Sequence, residues 1–139
     1  MNNDDALPLA VNGTLMRGLE LNPNLLEVGA TFLYESCTAP KYRLWSIGDV
    51  HPGMVRVDDD DDEGGASIAL EVWSVPAAGI ARVLHNEPPG LCIGKVTLAN
   101  GDVVLGVLAE PALCGGQREI TGYGGWRAYR RAVEEGNQE

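Results

Sequence analysis

The chain has 139 residues and a formal net charge of −10, from 20 acidic and 10 basic side chains. An acidic balance this strong repels phosphate backbones and anionic bilayers, so neither a nucleic acid nor a membrane is expected as partner. The length suits one domain with one core, and 18 glycines with 8 prolines favour short strands and turns over a helical bundle.

Residues 1–6 read as an N-terminal tail. Leu7–Val11 is the first expected strand, an apolar run that stops at Asn12-Gly13-Thr14-Leu15. Asn12-Gly13 is a turn dipeptide, because both residues tolerate positive φ. Beyond such a strand end, the amides around Gly13, Thr14 and Leu15 are either an ordinary turn or an anion-binding nest open to a cleft. Asn22-Pro23-Asn24 reads as a helix start with Asn22 as N-cap, and the short helix over 24–28 should end at Gly29. Strands are expected over 30–36 and over 42–47, the latter putting Tyr42, Ile47 and either Leu44 or Trp45 near a core. Gly48–Gly53 reads as a loop, followed by a short strand over 54–57.

Asp58–Glu63 is a run of six carboxylates. It lacks the spaced ligands and twelfth-position glutamate of a calcium loop, so it reads as a solvated connection. Residues 66–75 form the strongest strand pattern, with Ile68, Leu70, Val72 and Ser74 on one face and Ala69, Glu71 and Trp73 on the other. On this pattern Glu71 faces solvent. Pro76 opens a helix over 77–84, and Pro88-Pro89 forbid its continuation. Residues 92–99 and 102–109 form a hairpin around Asn100-Gly101. A glycine-rich stretch, 115–125, leads to a terminal amphipathic helix over 126–135, with Arg127, Arg130 and Arg131 on a solvated face. Few aromatic residues imply an aliphatic core. The expected architecture is α+β, a small mixed sheet or barrel with flanking helices, in one domain over 7–132 with tails at 1–6 and 133–139.

Cys37, Cys92 and Cys114 are an odd number, widely spaced and without a CxxC pair. They read as buried free thiols in a reducing compartment, with no disulfide framework and no metal site. The acidic N-terminus lacks a signal-peptide pattern and no apolar run reaches spanning length, so a cytoplasmic protein is expected. No cofactor motif is complete. Gly90–Thr97 fails phosphate-loop spacing, Gly122–Arg127 fails as a dinucleotide fingerprint, and no GxSxG elbow is present. His51 and His85 are too far apart in sequence for a helical metal pair.

One carboxylate remains as candidate chemistry. Glu87 follows the mid-chain helix, precedes Pro88-Pro89 and lies 14 residues beyond Trp73. At the mouth of an apolar pocket it would have a raised pKa and serve as a general acid or base; otherwise it is an exposed helix-end glutamate.

Several stretches together resemble one family. They are Val11–Met16, Thr38–Trp45, Glu71-Val72-Trp73, Ile93–Val96 and Tyr123–Arg127, in this order over nearly the whole chain. The chain resembles the γ-glutamylcyclotransferase-like superfamily and, within it, the C-terminal domain of allophanate hydrolase. The resemblance implies a cavity lined by Asn12, Gly13, Thr14 and Leu15 as ligand-binding residues, with Glu87 as catalytic acid/base. It implies a small carboxylated ligand, an amide or urea derivative. It also leaves two other readings open. One is a γ-glutamyl cyclotransferase releasing 5-oxoproline, against which Asn12 stands where those enzymes carry tyrosine. The other is a non-catalytic domain that pairs with itself or docks on a separate amidase.

Overall fold

The computed structural model describes residues 5–57 and 64–136. The acidic tract Asp58–Glu63, read as a solvated connection, lies outside the described residues. In chain order the elements are β1 (Ala6–Val11), α1 (Asn22–Glu27), β2 (Thr31–Cys37), β3 (Tyr42–Ile47), β4 (His51–Arg56), β5 (Ala69–Pro76), α2 (Ala77–Asn86), β6 (Leu91–Thr97), β7 (Val103–Ala109), α3 (Pro111–Cys114), β8 (Arg118–Glu119) and α4 (Trp126–Gly136). The fold is α+β. Five strands form one sheet in the order β2-β5-β1-β7-β6, and three form a second in the order β4-β3-β8, so the described strands close no barrel.

β1 lies at the centre of the larger sheet. It runs antiparallel to β5, with Leu9 opposite Trp73 and Val11 opposite Glu71, and parallel to β7, with Leu9 opposite Leu105. β6 and β7 are the hairpin read from Asn100-Gly101, and Gly101 takes φ +93 at its tip. A side chain would disfavour that conformation, hence the glycine.

β4 begins three residues earlier than expected. Gly48 and Asp49 both adopt positive φ, 61° and 59°, as the primed turns of tight hairpins require. The turn therefore closes by Val50, and His51, Pro52 and Gly53 pair with β3 instead of forming a loop. Asp49 is held there by hydrogen bonds from the Ser46 hydroxyl at 2.5 Å and the Tyr129 hydroxyl at 2.6 Å. Pro52 is tolerated because β4 is an edge strand.

The core joins aliphatic and aromatic side chains. Leu9, Leu25, Leu44, Ile68, Val72 and Leu98 are buried, but Trp126, Tyr42 and Tyr129 are the largest side chains fully inside. The expectation of an aliphatic core is thus corrected: few aromatics are present, and three of the eight are used at its centre. Ser46, not Ile47, continues the inward face of β3. α1 and α2 meet at Gly79, where an added Cβ would come within 2.9 Å of Val28. Asn22 is not the cap of α1. Leu21 occupies that position, and the Asn22 side chain donates instead to the Leu15 carbonyl at 2.9 Å.

Candidate functional site

The structure gathers all five sequence-predicted site residues around one cavity. Asn12, Gly13, Thr14, Leu15 and Glu87 line a narrow niche with Val11, His51, Pro52, Leu91 and Val107. The niche holds about 20 Å3, room for roughly one water-sized group. Thr14, His51 and Glu87 also line a wider outer cleft of about 360 Å3, with Glu20, Leu21, Asp49, Val50, Pro88 and Arg130. Glu87 therefore belongs to both spaces.

The niche loop is held by its own hydrogen bonds. Met16 N donates to Gly13 O, Leu21 N to Thr14 O, and the Asn22 amide to Leu15 O. The carbonyls of Gly13, Thr14 and Leu15 are thereby used, whereas their amides meet no acceptor among the described residues. Such free N–H groups are the donors of an anion nest. The Asn12 side chain serves a different purpose. Its amide donates to the Val107 carbonyl at 2.9 Å and ties the end of β1 to β7. Neither Asn12 nor Gly13 adopts the positive φ that the turn reading expected. Gly13 is glycine for another reason: an added Cβ would lie 2.5 Å from Pro52 Cδ.

Glu87 is placed by the prolines after it. A residue before proline avoids helical backbone, and Glu87 is extended, at φ −76 and ψ 153, where α2 ends. No donor among the described residues reaches its carboxyl. Burial pushes its pKa up to about 7. A carboxyl in that range exchanges protons in both directions at neutral pH.

His51 is the residue the sequence reading missed. By sequence it offers only a metal pair with His85, which the spacing rules out. Its Nδ1 lies 3.0 Å from the Pro52 carbonyl and, since a carbonyl only accepts, donates its proton there. The signal that finds it is the β3–β4 turn, because starting β4 at His51 sets that residue in the wall of the niche that Gly13 also lines.

Glu71 is the second correction. Instead of facing solvent it is 2% exposed. Its carboxylate accepts from Arg17 N at 2.9 Å, Arg17 Nε at 3.1 Å, Trp73 Nε1 at 3.1 Å and Arg127 Nη2 at 3.1 Å. Burial alone would raise its pKa, but these four donors outweigh it and hold the carboxyl below its usual range. Arg127 stays 41% exposed, on the solvated face expected for it, while it donates to Glu71, and Arg130 pairs with Glu20 at 3.3 Å.

The mixed α+β fold is of the class seen in γ-glutamylcyclotransferase-like proteins. Its likeness to an AIG2-like protein of Mus musculus is one of fold alone, at TM-score 0.55 and 21% identity over 78% of each chain. Within that class residues 7–131 match the allophanate hydrolase C-terminal domain, and the chain belongs to this family. It is 36% identical over 130 residues to the urea amidolyase of Saccharomyces cerevisiae. That match takes in 89% of this chain but only 7% of the yeast protein. It is also similar to c4763, a uropathogenic E. coli-specific protein, at TM-score 0.85 and 56% identity, covering 90% of this chain and 95% of that one. No helix among the described residues is long and apolar enough to cross a membrane.

Proposed function

We propose that the niche and outer cleft together bind a small carboxylated amide or urea derivative and that Glu87 handles a proton on it. The observation that carries this reading is the pairing of unlike groups in one cavity. Three residues with unpartnered amides, Gly13, Thr14 and Leu15, line the same niche as a carboxyl whose pKa is pushed to about 7. The amides suit a carboxylate end group, one oxygen of which fits the water-sized niche. The amide or urea portion then lies in the outer cleft, where Glu87 and His51 are both at hand. Protonated Glu87 donates to a departing nitrogen, or ionised Glu87 accepts from an attacking one, as the ligand requires. The relatives' names, allophanate hydrolase and urea amidolyase, agree with a urea-derived ligand. Three free cysteines are in keeping with work in a reducing cytoplasm.

The test is a thermal-shift screen of wild type and Glu87→Gln against ureido and carbamoyl carboxylates, simple dicarboxylates and γ-glutamyl compounds. A ligand of the folded state raises stability by mass action, by about 2.7 kcal/mol at a hundredfold excess over Kd, and with it the melting temperature. The reading requires a carboxylated amide or urea to stabilise wild type and Glu87→Gln to alter that response. Stabilisation by γ-glutamyl compounds alone moves the assignment to cyclotransferase chemistry, and no response to any class at millimolar concentration overturns the site.

A further inference from the structure

The niche and the outer cleft share three residues, Thr14, His51 and Glu87, which stand where one space opens into the other. Two of them keep unused hydrogen-bonding groups although they are more than nine-tenths buried: Thr14 is 7% exposed and His51 8%. Neither the Thr14 hydroxyl nor His51 Nε2 has a partner among the described residues. Neither atom is sealed in the core, because the Trp126 indole nitrogen is the one fully enclosed side-chain polar atom without a partner among those residues. The open spaces that both residues border are the niche and the cleft. A buried polar group left unpaired is costly, and in a cavity wall it is satisfied by what enters the cavity.

The bond His51 already makes defines what its other nitrogen offers. A neutral imidazole carries one proton. His51 donates it from Nδ1 to the Pro52 carbonyl at 3.0 Å, so Nε2 presents a lone pair and accepts only. The cleft beyond it is also rich in acceptors. Glu20 and Asp49 line it with Glu87, against one guanidinium, Arg130, which is paired with Glu20. Such a wall suits N–H groups and repels a second carboxylate. A ligand with an anion at one end and N–H at the other satisfies the Thr14 hydroxyl and His51 Nε2 together.

We infer that His51 is the specificity-determining residue of this site: its Nε2 accepts a hydrogen bond from a ligand nitrogen, so the site takes monocarboxylates whose far part bears N–H and refuses ketones and dicarboxylates of the same shape. The inference rests on the reading of the niche as a carboxylate site.

The experiment is isothermal titration calorimetry of the full chain at pH 8, above the range in which imidazole ordinarily ionises, with four probes of one skeleton. N-carbamoylglycinate carries NH2 and NH, N-acetylglycinate NH alone, levulinate neither, and succinate a second carboxylate. N-carbamoylglycinate should bind at least about tenfold more tightly than levulinate or succinate, because an analogue without N–H leaves the buried acceptor unpaired. A fall already at N-acetylglycinate assigns the bond to the terminal nitrogen, and a fall only at levulinate to the inner one. His51→Asn retains an amide that can donate to the Pro52 carbonyl but has no atom at the Nε2 position, and should lose the preference. His51→Gln, which places an amide there, should restore part of it. If His51→Asn does not fold, the wild-type ring reports directly: its Nε2 15N resonance should shift on saturation with N-carbamoylglycinate. Equal affinity for the four probes, succinate binding as tightly as N-carbamoylglycinate, a preference kept in His51→Asn, or an unmoved Nε2 resonance would each overturn the role of His51 and leave the carboxylate site standing. Binding of none of the four at millimolar concentration overturns both.

Discussion

Glu87 bears its charge at a cost that depends on pH. Its folded-state pKa is raised to about 7, against about 4.3 in the unfolded chain. Below both values neither state is ionised and nothing is lost. Between them the native state keeps a proton that the unfolded chain releases, so stability falls as pH rises, and above about 7 the full penalty remains. Glu87→Gln removes the charge and should raise stability by about 1–3 kcal/mol at pH 8 while changing little at pH 4. Thermal melts of both proteins at the two pH values decide this; equal gains at both would mean that the carboxyl is not desolvated. Gly13 invites the opposite experiment. Gly13→Ala must push Pro52 away from the niche loop, since the new Cβ starts 2.5 Å from the ring. A loss of about 1–3 kcal/mol is expected from overpacking, together with loss of ligand-induced stabilisation. At this scale the sequence was legible where chemistry is local. Asn12–Leu15 and Glu87 stand out by neighbouring residue types and proline punctuation. The reason for Gly13, by contrast, lies in a residue 39 positions away and carries no local trace.

The C-terminal helix is held to the sheet by one carboxylate. Glu71 on β5 accepts from Arg17 in the β1–α1 loop and from Arg127 on α4, and Arg127 also donates to the Arg17 carbonyl at 2.6 Å. Three elements thus share one buried charge. Removing it leaves Arg127 without its anion, Arg17 with Glu35 alone and the buried Trp73 N–H without an acceptor, at a cost of about 1–3 kcal/mol. Glu71→Ala is therefore expected to destabilise by that order. Faster amide hydrogen exchange should appear in α4 and in the loop at Arg17 before it appears in β6 and β7. Uniform loss of protection would show that Glu71 contributes only to general core packing. This contact also explains why strand periodicity misplaced Glu71. Alternation assigns a polar residue to solvent when one face of a sheet is wet. β5 lies between β2 and β1 and is covered on both faces, one of them by polar groups from distant parts of the chain. The strands, the hairpin and both long helices were legible because propensity and turn residues are local. α3, β8 and the early start of β4 were not, being two to four residues long or governed by the Gly48-Asp49 backbone.

Across the whole molecule the carboxylates pull stability in two directions. Glu71, Asp49 and Glu119 have pKa values lowered in the fold, Asp49 by the Ser46 and Tyr129 hydroxyls and Glu119 by Arg43. Glu71 contributes most, because it is the only one of the three that is fully buried. Stability from such groups is complete above the unfolded carboxylate range and disappears as pH falls through the lowered values. Glu87 has the reverse sign, so a maximum is expected near pH 5, with a decline on either side. Above it a second contribution grows, because a chain approaching its net charge of −10 repels itself in the compact state. Salt separates the two. Self-repulsion among surface charges is screened over about 8–10 Å at moderate ionic strength, whereas desolvation of one cavity carboxyl is not. Adding sodium chloride at pH 8 should therefore recover only part of the melting temperature lost since pH 5. Glu87→Gln should recover the rest, roughly 3–9 °C for a stability gain of this order in a domain of this size. Complete recovery by salt alone in wild type would place the Glu87 charge in solvent, and the niche would then lack the carboxyl that makes it a candidate for proton transfer.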